Sequence, residues 1–467
     1  MSEPAGGELR RGLGLLDATT IVIGSMIGSG IFIAPSLMAG YIQTPGLIII
    51  LWLIGGILTV FGGLSYAELA AAMPRAGGQY VFLRETYGAI WSFLYGWTLF
   101  LVIQTGFIAA VGVAFAKYLG VFIPAFSENN SVLSVGSFVV NSAQLVAIAS
   151  IIVLTVINIF GVRLGAIVQN AFTISKLAAL ALLIGLSFAL GMGSFSNFTP
   201  IFEPKVQEAM RMTFFAAFAV AMSKALFAYD AWNSVTFTAE ETKDPHKNLP
   251  RALVLGTAIV AIVYTLTNMA YLYIVPIQEM ANVPDNRIAA EVAQRVMGAG
   301  GLLFVTVAIL ISTFGCNNGL ILAGPRVYYA MAKDNLFFES VKNIHPEYRT
   351  PVASLLYQCV WSCVLTLTGT YSDLLTYTTF ASLLFNVMTV AAVFVLRRKM
   401  PAMERPYRVW GYPVVPAIYI LVALFFIVYI FVGDIRNSGL GLAIILTGVP
   451  AYYYWRKKSQ KVISVPF

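Results

Sequence analysis

Three glycines and two serines interrupt an apolar stretch near the beginning of the sequence. Residues 24–32 read GSMIGSGIF and lie within residues 18–67, which contain no Asp, Glu, Lys or Arg. Each Gly lowers the stability of a helix interior by about 1 kcal/mol relative to Ala. The run alone favours close helix packing through the spacing of Gly24 and Gly28. The alternative is an unwound segment whose free N–H groups, at the start of a second half-helix, bind an anion.

A second interruption lies at residues 227–233, which read FAYDAWN and place a carboxylate and an amide among aromatic residues. An Asp at the centre of a membrane-spanning helix costs about 2.5–3.5 kcal/mol on insertion scales, so Asp230 is expected to face a cavity or a partner. A buried pair with Lys224 is the structural alternative. That Lys is six residues away and lies off the same face of an intact helix.

Lys176 is a third unusual residue, because it follows Ile174 and Ser175 within a long apolar segment. A lysine near a helix end can extend its ammonium group to the membrane surface. Alternatively, the residue is a cation held in the wall of a cavity, where it acts as a fixed charge or as a proton site.

The composition requires lipid around most of the chain. Of its 467 residues, 59% are hydrophobic and 11% are charged, whereas a soluble domain carries about 25% charged residues. This excludes a water-soluble enzyme. The net charge of +8 does not require nucleic acid as a partner, because most basic residues fall on one membrane face. The three cysteines lie inside apolar runs, so no disulfide framework is predicted.

Stretches without charged residues predict twelve membrane-spanning helices, because a helix needs about 20 apolar residues to cross about 30 Å of hydrocarbon. The predicted spans are 14–39, 46–71, 89–118, 142–161, 166–190, 212–239, 252–274, 300–331, 352–369, 374–396, 411–432 and 437–455. Segments on one side hold 21 of the 29 Lys and Arg residues, segments on the other side hold 6, and two lie inside helices. Because basic residues are retained in the cytoplasm, both termini are predicted to be cytoplasmic.

The two polar interruptions fall in the first and sixth spans, which are corresponding members of two five-helix halves. This pattern predicts an inverted-repeat transporter whose substrate lies at the membrane midplane between two broken helices. The predicted fold is therefore an all-α integral membrane protein with a 5+5 repeat. A cytoplasmic tail at 1–13 precedes the first five-helix repeat at 14–190. The second repeat at 212–397 is followed by two peripheral helices at 411–455 and a second cytoplasmic tail at 456–467.

These residues resemble the amino acid–polyamine–organocation superfamily, and most closely its L-type amino acid transporter branch. The matching stretches are 27–32 (IGSGIF), 66–70 (YAELA) with Pro74 and Gly77-Gly78, 227–233 (FAYDAWN), Glu240-Glu241 with Pro245 and 250–252 (PRA), and Asn318-Gly319 near Arg326. The resemblance covers roughly residues 12–455. It implies a leucine-transporter-like fold, with broken first and sixth helices, in the plasma membrane of a bacterial cell.

The resemblance also implies a binding site for an amino acid zwitterion. The substrate carboxylate would be bound by the backbone N–H groups of Ile27, Gly28, Ser29, Gly30 and Ile31, together with the Ser29 hydroxyl. The ammonium group would be bound by the backbone carbonyls of Phe227, Ala228 and Asp230. The Phe227 ring would act as a gate, and Lys176 would occupy the place where sodium-coupled relatives hold an ion. The expected side-chain pocket consists of Tyr229, Trp232, Asn233, Asn317 and Asn386.

The implied function is sodium-independent transport of L-amino acids by alternating access, through exchange or facilitated diffusion, with neutral amino acids favoured. Proton coupling stays open, and so do cationic substrates, because Asp230-Ala231 stands where many neutral-amino-acid members have two glycines. A channel is the weaker alternative. An intramembrane enzyme is disfavoured because His246 and His345 lie in connecting segments, which leaves no imidazole for an embedded metal site or Ser-His dyad.

No catalytic residue, cofactor or metal is expected, and the expected partners are the substrate and the lipid bilayer. In the animal heteromeric members, the third-to-fourth external loop carries a disulfide to a glycoprotein heavy chain. Here that loop, at about residues 120–141, has no Cys. The sequence therefore predicts a free-standing transporter without a disulfide-linked heavy chain.

Overall fold

The computed structural model describes residue 9 and residues 11–127, 130–135, 138–203, 205–206, 213–367 and 371–463. Most of the predicted first tail, the start of the sixth span, the end of the ninth span and the last residues of the second tail lie outside the described residues. The α-helices, in chain order, are α1 Leu15–Met26, α2 Gly30–Ala39, α3 Pro45–Ala72, α4 Gln79–Tyr87, α5 Ala89–Thr98, α6 Gln104–Phe122, α7 Ser142–Ile159, α8 Val162–Ala189, α9 Phe214–Tyr229, α10 Ser234–Phe237, α11 Pro245–Ile274, α12 Ile277–Met280, α13 Ile288–Ala323, α14 Pro325–Lys333, α15 Val352–Thr366, α16 Tyr371–Lys399, α17 Val414–Gly433 and α18 Ile435–Ile463.

Nine helical segments of the described chain are long and apolar enough to cross a membrane. They are Leu15–Ala39, Pro45–Ala72, Ala89–Phe122, Ser142–Ile159, Val162–Ala189, Pro245–Ile274, Ile288–Lys333, Tyr377–Lys399 and Val414–Gly433. Two shorter helices, α9 and α15, are also apolar. The chain is therefore a mostly helical, multi-pass membrane protein.

The connection between α6 and α7 contains the two β-strands of the described chain. Strands β1 Ser131–Val135 and β2 Phe138–Asn141 pair as an antiparallel hairpin. The described chain is mostly helical, as predicted, and this hairpin lies in a connecting loop. Its short runs SVLSV and FVVN are rich in β-branched residues, which favour strands and are too short for a membrane span.

Several helices extend beyond the predicted spans. The third span contains a π-helical segment, Leu99–Ile103, between α5 and α6. The predicted eighth span, 300–331, is preceded by an extension that begins at Ile288 and is separated from it by a kink at Gly298, whose φ is 65°. Charged residues in its first turns, including Glu291, hide this extension from a prediction based on charge-free stretches. A further helix, α4, covers charged residues that the prediction left as a connection.

The interrupted helices lie at the centre of the molecule. The first, α1, packs against α8, α11 and α13, and α2 packs against α9. In turn, α9 packs against α3, α16 and α17. These neighbours enclose both interruptions, so polar groups there meet other parts of the protein rather than lipid.

Candidate functional site

The first break separates α1 from α2 at residues 27–29. The N–H of Ile27 donates to Ile23 O at 2.9 Å, and the N–H of Gly28 donates to Met26 O at 2.9 Å. In α2, Gly30 and Ile31 occupy the first turn, where N–H groups have no acceptor within their own helix. Of the five predicted carboxylate-binding residues, Ile27 and Gly28 thus use their N–H groups inside the break in this conformation. Gly30 and Ile31 present theirs at a helix N-terminus, which favours an anion.

Glycine is required in this break because other helices of the same chain approach its backbone closely. A Cβ atom at Gly30 would lie 2.5 Å from Ala228 Cβ and 2.7 Å from Ala228 Cα. A Cβ atom at Gly28 would lie 2.7 Å from Cys316 Sγ. Real side chains do not tolerate such distances, so Gly28 and Gly30 allow the first break to touch both α9 and α13.

The second break follows α9 and is built around a left-handed residue. Asp230 is extended, and Ala231 has a φ of 68°. The Ala231 N–H donates to Asp230 Oδ1 at 2.7 Å, and the Asp230 N–H donates to Phe227 O at 3.2 Å. A positive φ is unfavourable for alanine, and these contacts offset part of that cost. The carbonyl end of α9 therefore points into the break, where a helix C-terminus favours a cation.

A tyrosine from α11 joins the two breaks. The Tyr264 hydroxyl lies 2.8 Å from Met26 O and 3.1 Å from Ala228 O. These carbonyls belong to the last residue of α1 and to the last turn of α9. No sequence pattern singles out Tyr264, since tyrosine is common in apolar helices; its only signal is a hydroxyl in the middle of the seventh span.

The cavity between the breaks is almost closed. It leaves about 10 Å³ for the centre of a water molecule, and both Ser29 and Asp230 line it. This is room for about one water. The Phe227 ring stacks on Phe107 of α6, with ring centres 4.7 Å apart and planes at 27°. An amino acid therefore needs these elements to separate before it can enter.

Lys176 of α8 lies against the first break rather than at the membrane surface. Its Nζ donates to Gly24 O and Ile27 O, both at 2.7 Å, and the side chain is buried. The Ser312 hydroxyl of α13 also donates to Ile27 O, at 3.0 Å. The positive charge thus caps the carbonyl end of α1, where the helix dipole is negative. The alternative of a snorkelling lysine is wrong.

Asp230 lies between the first cavity and a second cavity on the far side of α9. The second cavity leaves about 30 Å³ for water centres and is lined in part by Thr379 of α16. The carboxylate accepts a hydrogen bond from the Ala231 N–H, and the Ser382 hydroxyl of α16 lies close to it. The Thr379 hydroxyl is buried and has no hydrogen-bond partner in the described structure.

The predicted side-chain pocket is divided by the structure. Tyr229, Trp232 and Asn386 line the second cavity. Asn233 lies beside it, and its amide donates to Gln79 Oε1 at 2.6 Å. Asn317 lines neither cavity, and its amide donates to Ile108 O at 3.2 Å.

Gln79 belongs to a buried polar network that was not predicted from the sequence. Its Nε2 donates to Thr389 Oγ1 at 3.0 Å, and the Tyr66 hydroxyl donates to Asn386 Oδ1 at 2.7 Å. The network links α3, α4, α16 and the residue before α10 through side chains that are distant in sequence. No spacing in the sequence indicates such contacts.

Hydrogen bonds close the protein on the side where α1 begins. The N–H groups of Gly12 and Leu13 donate to Glu241 O at 2.8 and 2.9 Å. The Glu241 carboxylate pairs with Arg326 at 2.7 Å, and both side chains are buried. On the opposite side, Gln43 N–H donates to Lys205 O at 2.9 Å. Together with the small cavity, these contacts describe an occluded conformation.

Comparisons with known proteins agree with this architecture. The model of the amino acid permease family matches residues 13–450. The serine/threonine exchanger SteT of Bacillus subtilis (strain 168) is 34% identical over 452 residues, which are 96% of this chain and 98% of that protein. The human Asc-type amino acid transporter 1 is 32% identical over 97% of this chain and 84% of its own length. The human large neutral amino acids transporter small subunit 2 is 32% identical over 97% and 83%.

The predicted resemblance to amino acid transporters is thereby confirmed, as is the expectation that the chain is not an enzyme. The family model and these relatives cover nearly the whole chain, including both breaks. The chain belongs to the amino acid permease family and is a membrane transporter.

Proposed function

We propose that this protein exchanges neutral L-amino acids across the plasma membrane without sodium. One observation carries the proposal: the N-terminus of α2 and the C-terminus of α9 face one small cavity with opposite polarity. A zwitterion matches this pair of helix ends, with its carboxylate at one and its ammonium at the other. The relatives are named as an exchanger of serine and threonine and as amino acid transporters.

The carboxylate is bound by the N–H groups of Gly30 and Ile31 with the Ser29 hydroxyl. Ile27 and Gly28 contribute when the break opens and their present hydrogen bonds exchange. The ammonium is bound by carbonyls at the end of α9, from Phe227, Ala228 and Asp230, and Phe227 separates from Phe107 to admit the substrate. The stacking of these two rings supports the gate role.

The fold proposed for this function has twelve spans, two inverted five-helix repeats at 14–190 and 212–397, two further helices at 411–455, and both termini in the cytoplasm. The contacts of the breaks support the repeat. Lys176 of the fifth span contacts the first break, and Ser382 of the tenth span contacts the second. Corresponding helices thus support corresponding breaks. The basic residues of the connecting segments support the orientation.

Lys176 supplies the charge that makes sodium unnecessary. Its ammonium contacts two carbonyls of the first break at 2.7 Å, where a bound cation would otherwise stabilise the free carbonyl groups. Exchange should therefore be unchanged when choline replaces sodium. A steep, saturable increase of the rate with sodium would contradict this role.

Neutral substrates are favoured because the other side chains of the predicted pocket are uncharged. A cationic amino acid is the second candidate, and Asp230 favours it, because its carboxylate lies at the wall of both cavities. With a neutral substrate, Asp230 contacts the ammonium on the substrate Cα. With a cationic substrate, it contacts the ammonium at the end of the substrate side chain.

The test is exchange in proteoliposomes that contain this chain alone. Labelled alanine outside should accumulate when unlabelled alanine is inside, and an excess of serine, leucine or arginine should be added in competition. We expect inhibition by neutral amino acids and exchange without any second subunit. Inhibition by arginine and lysine alone would support the cationic alternative, and no uptake of any amino acid would overturn the proposed function.

A further inference from the structure

Asp230 differs from the other buried carboxylates of the described chain. Glu68 and Glu241 are both buried, and each pairs with an arginine: Glu68 with Arg397 at 2.6 Å and Glu241 with Arg326 at 2.7 Å. Asp230 is also buried, with 8% of its surface exposed, and no ion pair of Asp230 is found among the described residues.

The groups that contact the Asp230 carboxylate are neutral. One is the Ser382 hydroxyl and the other is the N–H of Ala231. The second cavity adds room for about two waters and the unpaired hydroxyl of Thr379. A buried carboxylate that lacks a cation is strongly disfavoured, whereas the same carboxylate beside an ammonium is not.

Resting on the proposed function, we propose that Asp230 couples the two directions of transport, so that the protein exchanges amino acids instead of releasing them singly. In the loaded protein, the substrate ammonium lies next to Asp230 and neutralises it when the two breaks close. In the empty protein, closing would bury an uncompensated charge. The empty carrier therefore returns slowly, and a second amino acid must bind before the binding site changes sides.

A proton can replace the missing cation. Among the described residues, the titratable groups of neighbouring elements that interact electrostatically with Asp230 are the phenols of Tyr66 on α3, Tyr95 on α5 and Tyr419 on α17. Phenols are neutral at physiological pH. On α9 itself, Lys224 lies six residues away, and the α16 groups Ser382 and Asn386 are uncharged. Protonated Asp230 is neutral, so acid should let the empty carrier return.

The experiment measures efflux of labelled alanine from proteoliposomes into buffer with or without external alanine. At pH 7.5, external alanine should stimulate efflux by the wild type at least about tenfold, because closing the empty carrier buries an unpaired charge. For Asp230→Asn the stimulation should fall to about twofold or less, since an amide needs no counter-charge. At pH 5.5, efflux into alanine-free buffer should rise for the wild type and stay constant for the variant.

Asp285→Asn is the matched control, because that carboxylate is exposed and pairs with Arg287. It should retain the stimulation and the pH response of the wild type. If Asp230→Asn does not fold, Asp230→Ser supplies a second neutral variant. Unchanged stimulation in a folded neutral variant, or a wild-type efflux that does not respond to pH, would overturn the proposal. Absence of any exchange by the wild type would instead overturn the proposed function.

Discussion

The two breaks lie beside opposite buried charges, and neutral groups contact both of them. At the first break, the Lys176 ammonium donates to two carbonyl groups of the chain at 2.7 Å, which hold it in place. At the second break, the Asp230 carboxylate contacts neutral donors from Ser382 and Ala231. The difference lies in access: Lys176 lines neither cavity, whereas Asp230 lines both, so a substrate ammonium can reach the charge at the second break.

The largest effect is expected from removing the close contact between the breaks. In Gly30→Val, the new Cβ atom would lie 2.5 Å from Ala228 Cβ, and the start of α2 would have to move away from α9. We expect alanine affinity to fall at least about 100-fold, which corresponds to about 2.7 kcal/mol. Binding of labelled alanine to detergent-purified protein measures the loss.

Gly185→Val is the control for this variant, since Gly185 lies in α8 with no atom near its added Cβ. It should bind alanine as the wild type does. Normal affinity of Gly30→Val would show that the breaks need not touch during binding.

A smaller effect is expected from removing the charge at the first break. Lys176→Met leaves Gly24 O and Ile27 O without the ammonium. Buried acceptors that lose their partner destabilise a protein by about 1–3 kcal/mol. We expect a lower melting temperature and an exchange rate reduced about 10-fold, as 1.4 kcal/mol would give.

Ser175→Ala changes the neighbouring, exposed residue of the same helix and should alter neither quantity. If Lys176→Met melts and transports like the wild type, the first break is not held by this charge.

A modest effect is expected from Tyr264→Phe, which removes the hydroxyl that links the two breaks and changes no residue of either break. Its hydroxyl lies within hydrogen-bond distance of Met26 O and Ala228 O. Losing one such hydrogen bond costs about 0.5–1.5 kcal/mol, so the KM for alanine should rise by about 2-fold to 10-fold. Tyr271→Phe is a matched control, because the buried Tyr271 hydroxyl on the same helix has no partner in the described structure. Equal KM values for the two variants would argue against a role for the link.

The smallest effect is expected outside both breaks. Asn317→Ala removes an amide that contacts Ile108 O and lines neither cavity. The preference for alanine over leucine should change by less than about twofold, although unfolding becomes easier by about 1 kcal/mol. Competition assays give the preference. A change of tenfold or more in this preference would show that Asn317 belongs to the pocket for the substrate side chain.

The sequence predicts the breaks well because they violate local rules. Glycines at 24–32 and a carboxylate at 230 are unfavourable within membrane-spanning helices, so their positions are visible without any tertiary information. Predicted spans overlap observed helices for the same reason, since charged residues mark where a span ends. The prediction is weakest where charged residues continue a helix, as in α4 and at the start of α13.

The contacts that complete the site could not be predicted in this way. Tyr264 and Ser382 are ordinary residues of apolar helices, and their importance depends on which helices pack against the breaks. Asn317 and Asn386 look alike in sequence, yet only Asn386 lines a cavity. The rotation of each helix about its axis determines which Asn faces the cavity. A uniformly apolar helix has no hydrophobic periodicity from which that rotation can be predicted.

Substrate analogues that lack one charge test most directly whether a zwitterion bridges the two breaks. Exchange of labelled alanine should be challenged with L-alanine, with alaninamide, which lacks the carboxylate, and with L-lactate, which carries a hydroxyl in place of the ammonium. We expect inhibition by L-alanine and a loss of at least about 100-fold in potency for each analogue, since each leaves one helix end and its polar groups unpaired. Inhibition by alaninamide or L-lactate as strong as that by L-alanine would contradict the account.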